Sequence, residues 1–280
     1  MTHYLIYDQI PDRMKKDSYF HFALADALIR QVNKHPEQTM LHFWPTDKKV
    51  ILGMMDTKLP YLSDGISSLE NEGYEVVVRP SGGLAVISDP GILNFSFIIA
   101  EPDNKKLSID DGYEMMVAIV RQAFSAYGKE IKAYEITDSY CPGTFDLSIN
   151  GKKFAGIAQR RFRRGIGVMI YLSVDGNQQE RGQVIRNFYQ TSLKGEETRW
   201  HYPDVNPDSM ANLTELLDPK LTIQAVQDLL TQAVIKNTVT PLDRNVYDSE
   251  LLTEYNLAYD KMIKRNEKIL PKERENEKLP

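Results

Sequence analysis

Apolar residues recur with helical spacing between residues 17 and 33, at Phe20, Leu24, Leu28 and Val32. This predicts an amphipathic helix with Asp17 as its cap. Beyond it the period shortens to that of strands. MLHFW (40–44) and VILGM (50–54) read as strands joined by the turn-forming PTDKK, and YEVVVRP (74–80) as a β-branched strand running into Ser81-Gly82-Gly83. LAVIS (84–88) and ILNFSFIIA (92–100) predict two more strands across Asp89-Pro90-Gly91. The helical period returns over 109–127, with acidic residues in the first turn, where they complement the helix dipole.

The most informative pattern lies between 144 and 159, TFDLSINGKKFAGIAQ. Asn150-Gly151 between two alternating runs is a strong hairpin signal. A two-residue loop sets Ile149 opposite Lys152, Ser148 opposite Lys153 and Asp146 opposite Ala155. Side chains alternate along a strand, so Phe145, Leu147, Ile149 and Phe154 share one face, with Lys152 at its tip. Asp146, Ser148, Lys153, Ala155 and Ile157 share the other. The first face predicts core, and the second presents Lys153 among small and polar neighbours, as a site wall would.

A strand over 167–174 and a short helix near 181–190 complete a main domain of residues 1–205. YPDVNPDSMANL (202–213) is rich in turn formers, and the patterns after it are helical, best over 221–237 and 249–270. Residues 206–280 therefore read as a small helical C-terminal domain. It ends in the charged PKERENEKLP, which predicts a frayed tail.

Composition narrows the classes of function. Of 280 residues, 34 are Lys or Arg and 39 Asp or Glu, a net charge of −5, which argues against nucleic acid as a partner. One cysteine excludes an internal disulfide framework and a multi-cysteine zinc site. No apolar run approaches about 18 residues, and Met1 to Asp8 carries no signal-peptide pattern, so a cytoplasmic protein with no membrane partner is expected. His3, His21, His35, His42 and His201 have no metal-ligand spacing; His21 and His42 sit in apolar segments and read as core-edge residues, and no metal site is predicted.

Three segments carry candidate chemistry. Cys141 lies in the loop sequence Asp138-Ser-Tyr-Cys-Pro-Gly-Thr rather than in an apolar run. It is either an inert thiol or a nucleophile, and Lys153, returned toward it by the hairpin, would favour the thiolate. Arg79-Pro80-Ser81-Gly82-Gly83-Leu84-Ala85 is a strand running into a glycine pair, either a tight turn or a place where backbone donors meet a ligand. Arg160-Arg161-Phe162-Arg163-Arg164 reads as a solvated strand end or as a dock for an acidic protein.

Phe43-Trp44, Val50-Ile51-Leu52-Gly53, Val78 to Val86 and Asp146 to Gln159 occur in the order found in the biotin/lipoate protein ligase family, and the resemblance covers about residues 20–205. Lys-Lys-Phe-Ala-Gly-Ile-Ala-Gln resembles that family's lysine motif, with Lys153 at the functional position. Ser-Tyr-Cys-Pro-Gly-x-x-Asp-Leu-Ser-Ile is most similar to its lipoyl amidotransferases. The resemblance implies an α/β (α+β) fold: a mixed, mostly antiparallel sheet flanked by helices, of the class II synthetase and biotin ligase type, with the small helical domain appended. It implies that Cys141 carries an acyl group as a thioester and that Lys153 lowers its pKa. Arg79, Ser81, Gly82, Gly83, Leu84, Ala85, Asp146 and Gly156 would line the substrate site. The implied donor is the octanoylated glycine cleavage H protein and the implied acceptors are lipoyl domains of E2 subunits of 2-oxoacid dehydrogenases, with no cofactor. Two departures, Pro80 after the arginine and Ser88-Asp89 in place of His-Asp, set the chain apart from the ATP-dependent lipoate ligases. Those ligases, an octanoyl transferase using acyl carrier protein, and a non-catalytic lipoyl-domain-binding module are the alternatives.

Overall fold

The computed structural model describes residues 2–11, 18–235 and 242–270. In chain order the elements are β1 (His3–Tyr7), α1 (Phe20–Gln31), β2 (Gln38–Trp44), β3 (Lys49–Leu52), α2 (Leu62–Asn71), β4 (Glu75–Val78), β5 (Val86–Ser88), β6 (Ile92–Ala100) and α3 (Ile109–Ala123). They continue with β7 (Lys132–Ala133), β8 (Leu147–Ile149), β9 (Lys152–Phe162), β10 (Gly165–Ser173), α4 (Gln178–Leu193), α5 (Leu213–Leu216), α6 (Ile223–Ile235), β11 (Leu242–Arg244) and α7 (Ser249–Ile269). Among the described residues, eight strands form one sheet in the order β11-β1-β2-β6-β10-β9-β8-β7, and three form a second, β4-β3-β5. Only the pairs of β1 with β11 and with β2 are parallel in the large sheet; the rest are antiparallel. The expected mixed, mostly antiparallel α/β architecture is what the chain adopts.

Each face of the large sheet is covered by helices. Ile6, Leu41, Phe95 and Ile170 pack with Met116 and Val120 of α3 and Leu230 of α6. On the opposite face, Leu5, Met40 and Ile98 meet Leu24 and Leu28 of α1 and Tyr255 of α7. The apolar stripe read from residues 20–32 packs on the sheet, but α1 is not amphipathic: all of its residues except Arg30 are buried, His21, Asp26 and Gln31 included, because the sheet, α7 and the small sheet's core enclose it. Its expected cap, Asp17, lies outside the described residues. Ser108 and Asp111 close a reciprocal capping box at the start of α3. No described helix is long and apolar enough to cross a membrane.

Two strand pairs that are adjacent in sequence part company. β2 joins the large sheet and β3 the small one, and the same split separates β5 from β6 across Asp89-Pro90-Gly91. The hairpin at Asn150-Gly151 forms as read, with Ile149 opposite Lys152 and Ser148 opposite Lys153. Its register then shifts, so that Leu147, not Asp146, faces Ala155. One extra residue, Phe154, is accommodated as a bulge, and everything beyond it changes face. Ala155 therefore joins Phe154 in the core and Ile157 packs against it, instead of flanking Lys153.

Residues beyond 205 share these cores. Leu213, Leu221, Val226 and Leu230 belong to the α3 side, Leu251 and Tyr255 to the α1 side, and Met262 to the core of the small sheet. α7 also finishes the outer edge of that sheet. The Asn266 side chain accepts from the Val78 N–H at 2.7 Å and donates to its carbonyl at 3.2 Å, standing in for a missing strand. The terminal tail, 271–280, lies outside the described residues.

Candidate functional site

Two loops, 79–85 and 136–146, meet above the sheets. The first is folded around Arg79, whose guanidinium donates to the Gly82 carbonyl at 3.1 and 3.0 Å and to the Leu84 carbonyl at 2.9 Å. Gly83 has φ +89°, and a Cβ there would lie 2.6 Å from Arg79 Nη2 and 3.2 Å from the Cys141 sulfur. From below, Gly53 comes so close that a Cβ would lie 1.9 Å from the Gly83 oxygen. Glycine is required at 53 by packing against backbone and at 83 by its positive φ.

The second loop carries Cys141, with φ +48°. A residue before proline is ordinarily extended, and left-handed backbone costs a non-glycine residue about 1–2 kcal/mol. Lys153 holds it there. Its Nζ lies 2.8 Å from the Cys141 carbonyl, 3.0 Å from the Tyr140 carbonyl and 3.0 Å from Ser139 Oγ. Asp146 Oδ1 is 3.0 Å away on the same ammonium. Asp146 in turn accepts from Gly143 N at 3.1 Å and Ile136 N at 3.2 Å, closing the loop on itself. Burial holds the Asp146 carboxyl above the ordinary carboxylate range, against the pull of Lys153. Gly156 faces this pair because of the bulge; a Cβ on it would stand 3.5 Å from Lys153 Cε.

Cys141 and Lys153 are brought together, but through the cysteine's carbonyl. The thiol's own partners come from the other loop: Leu84 N–H at 3.3 Å and Arg79 Nη2 at 3.7 Å. Both are donors aimed at sulfur. Arg79, Ser81, Gly82, Gly83, Cys141, Asp146, Lys153 and Gly156 line one cavity of about 310 Å³. Neither Leu84 nor Ala85 lines the cavity: Leu84 contributes its N–H to the thiol, and Ala85 is fully buried beneath the loop. Apolar side chains, among them Phe22, Trp44, Phe95, Met169 and Ile170, supply much of the remaining wall. The volume is at the lower end of the range for small-molecule sites.

The basic cluster divides: Arg160 and Arg161 are partly buried and bonded within the fold, while Arg163 and Arg164 are exposed. Arg160 pairs with buried Asp26 at 2.6 Å, and both line the cavity. Arg161 donates to the Leu107 carbonyl at 2.6 Å, and Arg164 pairs with Asp103 at 2.6 Å. His21 and His42 hydrogen-bond to each other at 3.1 Å and stack with Trp44. Burial pushes both imidazoles down, His42 to about 3, so both are neutral core residues at pH 7.

Three contributions had no sequence signal. Asn206 donates its N–H to the Asp138 carbonyl at 2.7 Å and Ala211 to the Lys153 carbonyl at 3.0 Å, so the turn-rich segment past 205 braces both the cysteine loop and the lysine strand. Tyr140 is anchored by Gln178 at 3.0 Å and by Tyr171. Asp56 and Tyr189 lie under the 79–85 loop.

In comparison with known proteins, residues 17–235 match the lipoyl protein ligase A/B catalytic domain. The chain is 47% identical over 248 residues to the octanoyl-[GcvH]:protein N-octanoyltransferase of Macrococcus caseolyticus, covering 89% of each chain. It is 40% identical to the lipoyl-[GcvH]:protein N-lipoyltransferase of Listeria monocytogenes, covering 91% of each. Among solved structures, the bipartite lipoate protein ligase of Thermoplasma acidophilum superposes with a TM-score of 0.70 at 18% identity, covering 98% of this chain and 99% of that one. At that identity the likeness concerns the fold.

Proposed function

The chain belongs to the family of lipoyl protein ligase A/B catalytic domains, and we propose that within it the protein is a GcvH-dependent acyltransferase. It takes an octanoyl group from a lysine of GcvH and passes it, through a thioester on Cys141, to lysines of the lipoyl domains of E2 subunits. The named relatives, similar over about nine-tenths of their length, support GcvH as donor. The observation that carries the thioester is the thiol on the cavity wall with the Leu84 N–H at 3.3 Å and Arg79 at 3.7 Å.

The chemistry balances without ATP. The thiolate adds to the carbonyl carbon of the octanoyl-lysine amide, and charge moves to the carbonyl oxygen. Collapse breaks the C–N bond, and the lysine amine leaves with a proton taken from solvent. The neutral amine of an acceptor lysine then adds to the thioester and sheds a proton, and the C–S bond breaks to return the thiolate. One lysine amide replaces another, so the exchange is close to thermoneutral. Leu84 N–H and Arg79, the two donors that face the sulfur, would also serve charge developing on the carbonyl oxygen. Lys153 and Asp146 keep the Cys141 backbone in its left-handed conformation.

Adenylation is the weaker reading. Ser88 and Asp89, where ATP-dependent ligases carry His-Asp, do not line the cavity. Asp89 binds Arg181 at 2.7 Å, and Ser88 accepts from Asn94 at 2.8 Å. We place the protein in the cytoplasm, where a lone catalytic thiol stays reduced.

Intact-protein mass spectrometry after mixing with octanoyl-GcvH, without ATP, tests the reading. The wild type is expected to gain one hydroxylamine-labile octanoyl group and pass it to a lipoyl domain, while Cys141→Ala gains none. Transfer that survives Cys141→Ala, or that requires ATP and free octanoate, would refute it. A parallel run with lipoyl-GcvH ranks the two acyl groups.

A further inference from the structure

Beneath the 79–85 loop runs a chain of hydrogen bonds that meets no substrate. Ala85 N–H donates to the Tyr189 hydroxyl at 3.1 Å, and that hydroxyl donates to Asp56 Oδ1 at 2.9 Å. Asp56 Oδ2 accepts the Gly53 N–H at 2.7 Å. Every link is buried: Ala85 and Asp56 are 0% exposed and Tyr189 2%. Neither Asp56 nor Tyr189 lines the cavity.

A carboxylate in such a place is costly unless its charge and lone pairs are used. Burial raises the Asp56 carboxyl to about 7, against its bonds from Gly53 and Tyr189 and the positive charge of Arg79. Arg79 is the same guanidinium that approaches the Cys141 sulfur. Leu84, whose N–H is the thiol's other donor, is bonded in the chain to Ala85. Arg79 Nη2 also donates to the Leu84 carbonyl at 2.9 Å, so the strut under Ala85 lies beneath both groups that face sulfur, and Gly53, at its far end, touches the loop again through Gly83. The loop has no helix or strand geometry of its own between Arg79 and Ala85 to fix these positions.

We propose that Asp56 and Tyr189 are positioning residues for the Cys141 thiol: they set the height of the Leu84 N–H and the Arg79 guanidinium against sulfur. Removing the Tyr189 hydroxyl frees the Ala85 N–H and lets the Leu84 N–H drift from the thiol. Asp56→Asn keeps an acceptor for only one of the two donors, the Gly53 N–H or the Tyr189 hydroxyl, so the far end of the strut loosens. In either case the two donors lose their place against sulfur, although no group that touches substrate has been altered. The inference rests on Cys141 being the acyl-bearing thiol.

The test is the pH profile of Cys141 alkylation by iodoacetamide, read by intact mass, in wild type, Tyr189→Phe and Asp56→Asn. Melting curves establish that each variant is folded. Tyr189→Phe deletes one oxygen and decides the matter if Asp56→Asn does not fold. The expected result is a profile displaced from that of the wild type, with alkylation of Cys141 roughly tenfold slower at fixed neutral pH. The rate of octanoyl transfer falls roughly 10- to 100-fold, with the KM for octanoyl-GcvH little changed. A folded Tyr189→Phe protein with wild-type alkylation and transfer would overturn the proposal, since a purely structural contact would lower the melting temperature and leave the thiol alone. Alkylation needs no acyl donor, so a shifted profile in a protein that transfers nothing would refute the acyltransferase reading and leave the strut standing.

Discussion

Replacing Lys153 by methionine keeps the aliphatic stem and deletes the ammonium, which is the sharpest available probe of how the cysteine loop is held. Four acceptors lose their common donor: Ser139 Oγ, the Tyr140 and Cys141 carbonyls, and Asp146 Oδ1. Lys153 is 3% exposed and Asp146 1%. Breaking a buried ion pair by removing one partner costs about 3–5 kcal/mol, and the strained φ of Cys141 loses its clamp. Urea unfolding followed by tryptophan fluorescence measures the first effect, and alkylation of Cys141 the second. The pH dependence is diagnostic. Asp146 is already raised by burial, and without Lys153 it rises further. A carboxyl whose pKa is higher in the folded chain costs stability above its folded pKa and nothing below its unfolded value. The deficit of Lys153→Met is therefore full at neutral pH and shrinks as pH falls toward about 4. Adding Asp146→Asn removes the stranded charge, so the double variant is expected to be more stable than the sum of the singles predicts, by about 0.5–3 kcal/mol. A loss below about 1 kcal/mol at pH 7 with unchanged thiol reactivity would refute the clamp.

Other substitutions separate the site from its supports. Gly53→Ala drives a Cβ to 1.9 Å from the Gly83 oxygen; it is expected to cost about 1–3 kcal/mol and to slow octanoyl transfer at least about tenfold, read by melting and by the transfer assay. Arg181→Met strands Asp89 and the Pro90 and Asp175 carbonyls, which Arg181 binds at 2.7 to 2.8 Å. Unfolding should register about 3–5 kcal/mol, while the alkylation profile of Cys141 stays at its wild-type position. Asn266→Leu leaves the Val78 N–H and carbonyl unpaired; amide exchange at Val78 should accelerate and stability fall by about 1–3 kcal/mol.

Much of the fold was legible because its signals are local. The stripes of α3, α6 and α7 report which side of each helix faces apolar surroundings, the apolar runs of α1 and β10 mark elements enclosed on both sides, and the Asn150-Gly151 turn sets its hairpin. Short or weakly patterned pieces escaped: β7 and β11, of two and three residues, are too short and α2 too polar to declare a period, and β1, although apolar, shows no alternation over its five residues. The bulge left a trace, since Phe154 and Ala155 are adjacent apolar residues in a run otherwise read as alternating. Strict alternation instead placed Ala155 and Ile157 beside Lys153. Partnership between strands was out of reach, because β2 and β3, or β5 and β6, are neighbours along the chain and yet enter different sheets.

At the site, residue types marked Cys141, Lys153, Arg79 and the glycine pair as candidates with inert alternatives still open, and the resemblance to the biotin/lipoate protein ligases assigned them to acyl transfer. The wiring came from the tertiary structure. Lys153 binds the cysteine's carbonyl, Arg79 and the Leu84 N–H take the sulfur, Ala85 turns away beneath the loop, and Asp56 and Tyr189 arrive from elements with no motif at all. Periodicity is a property of one segment in an averaged apolar environment. A hydrogen bond across the fold depends on loop dihedrals to a fraction of an ångström and on which distant segment arrives beside it, and no spacing along the chain encodes either.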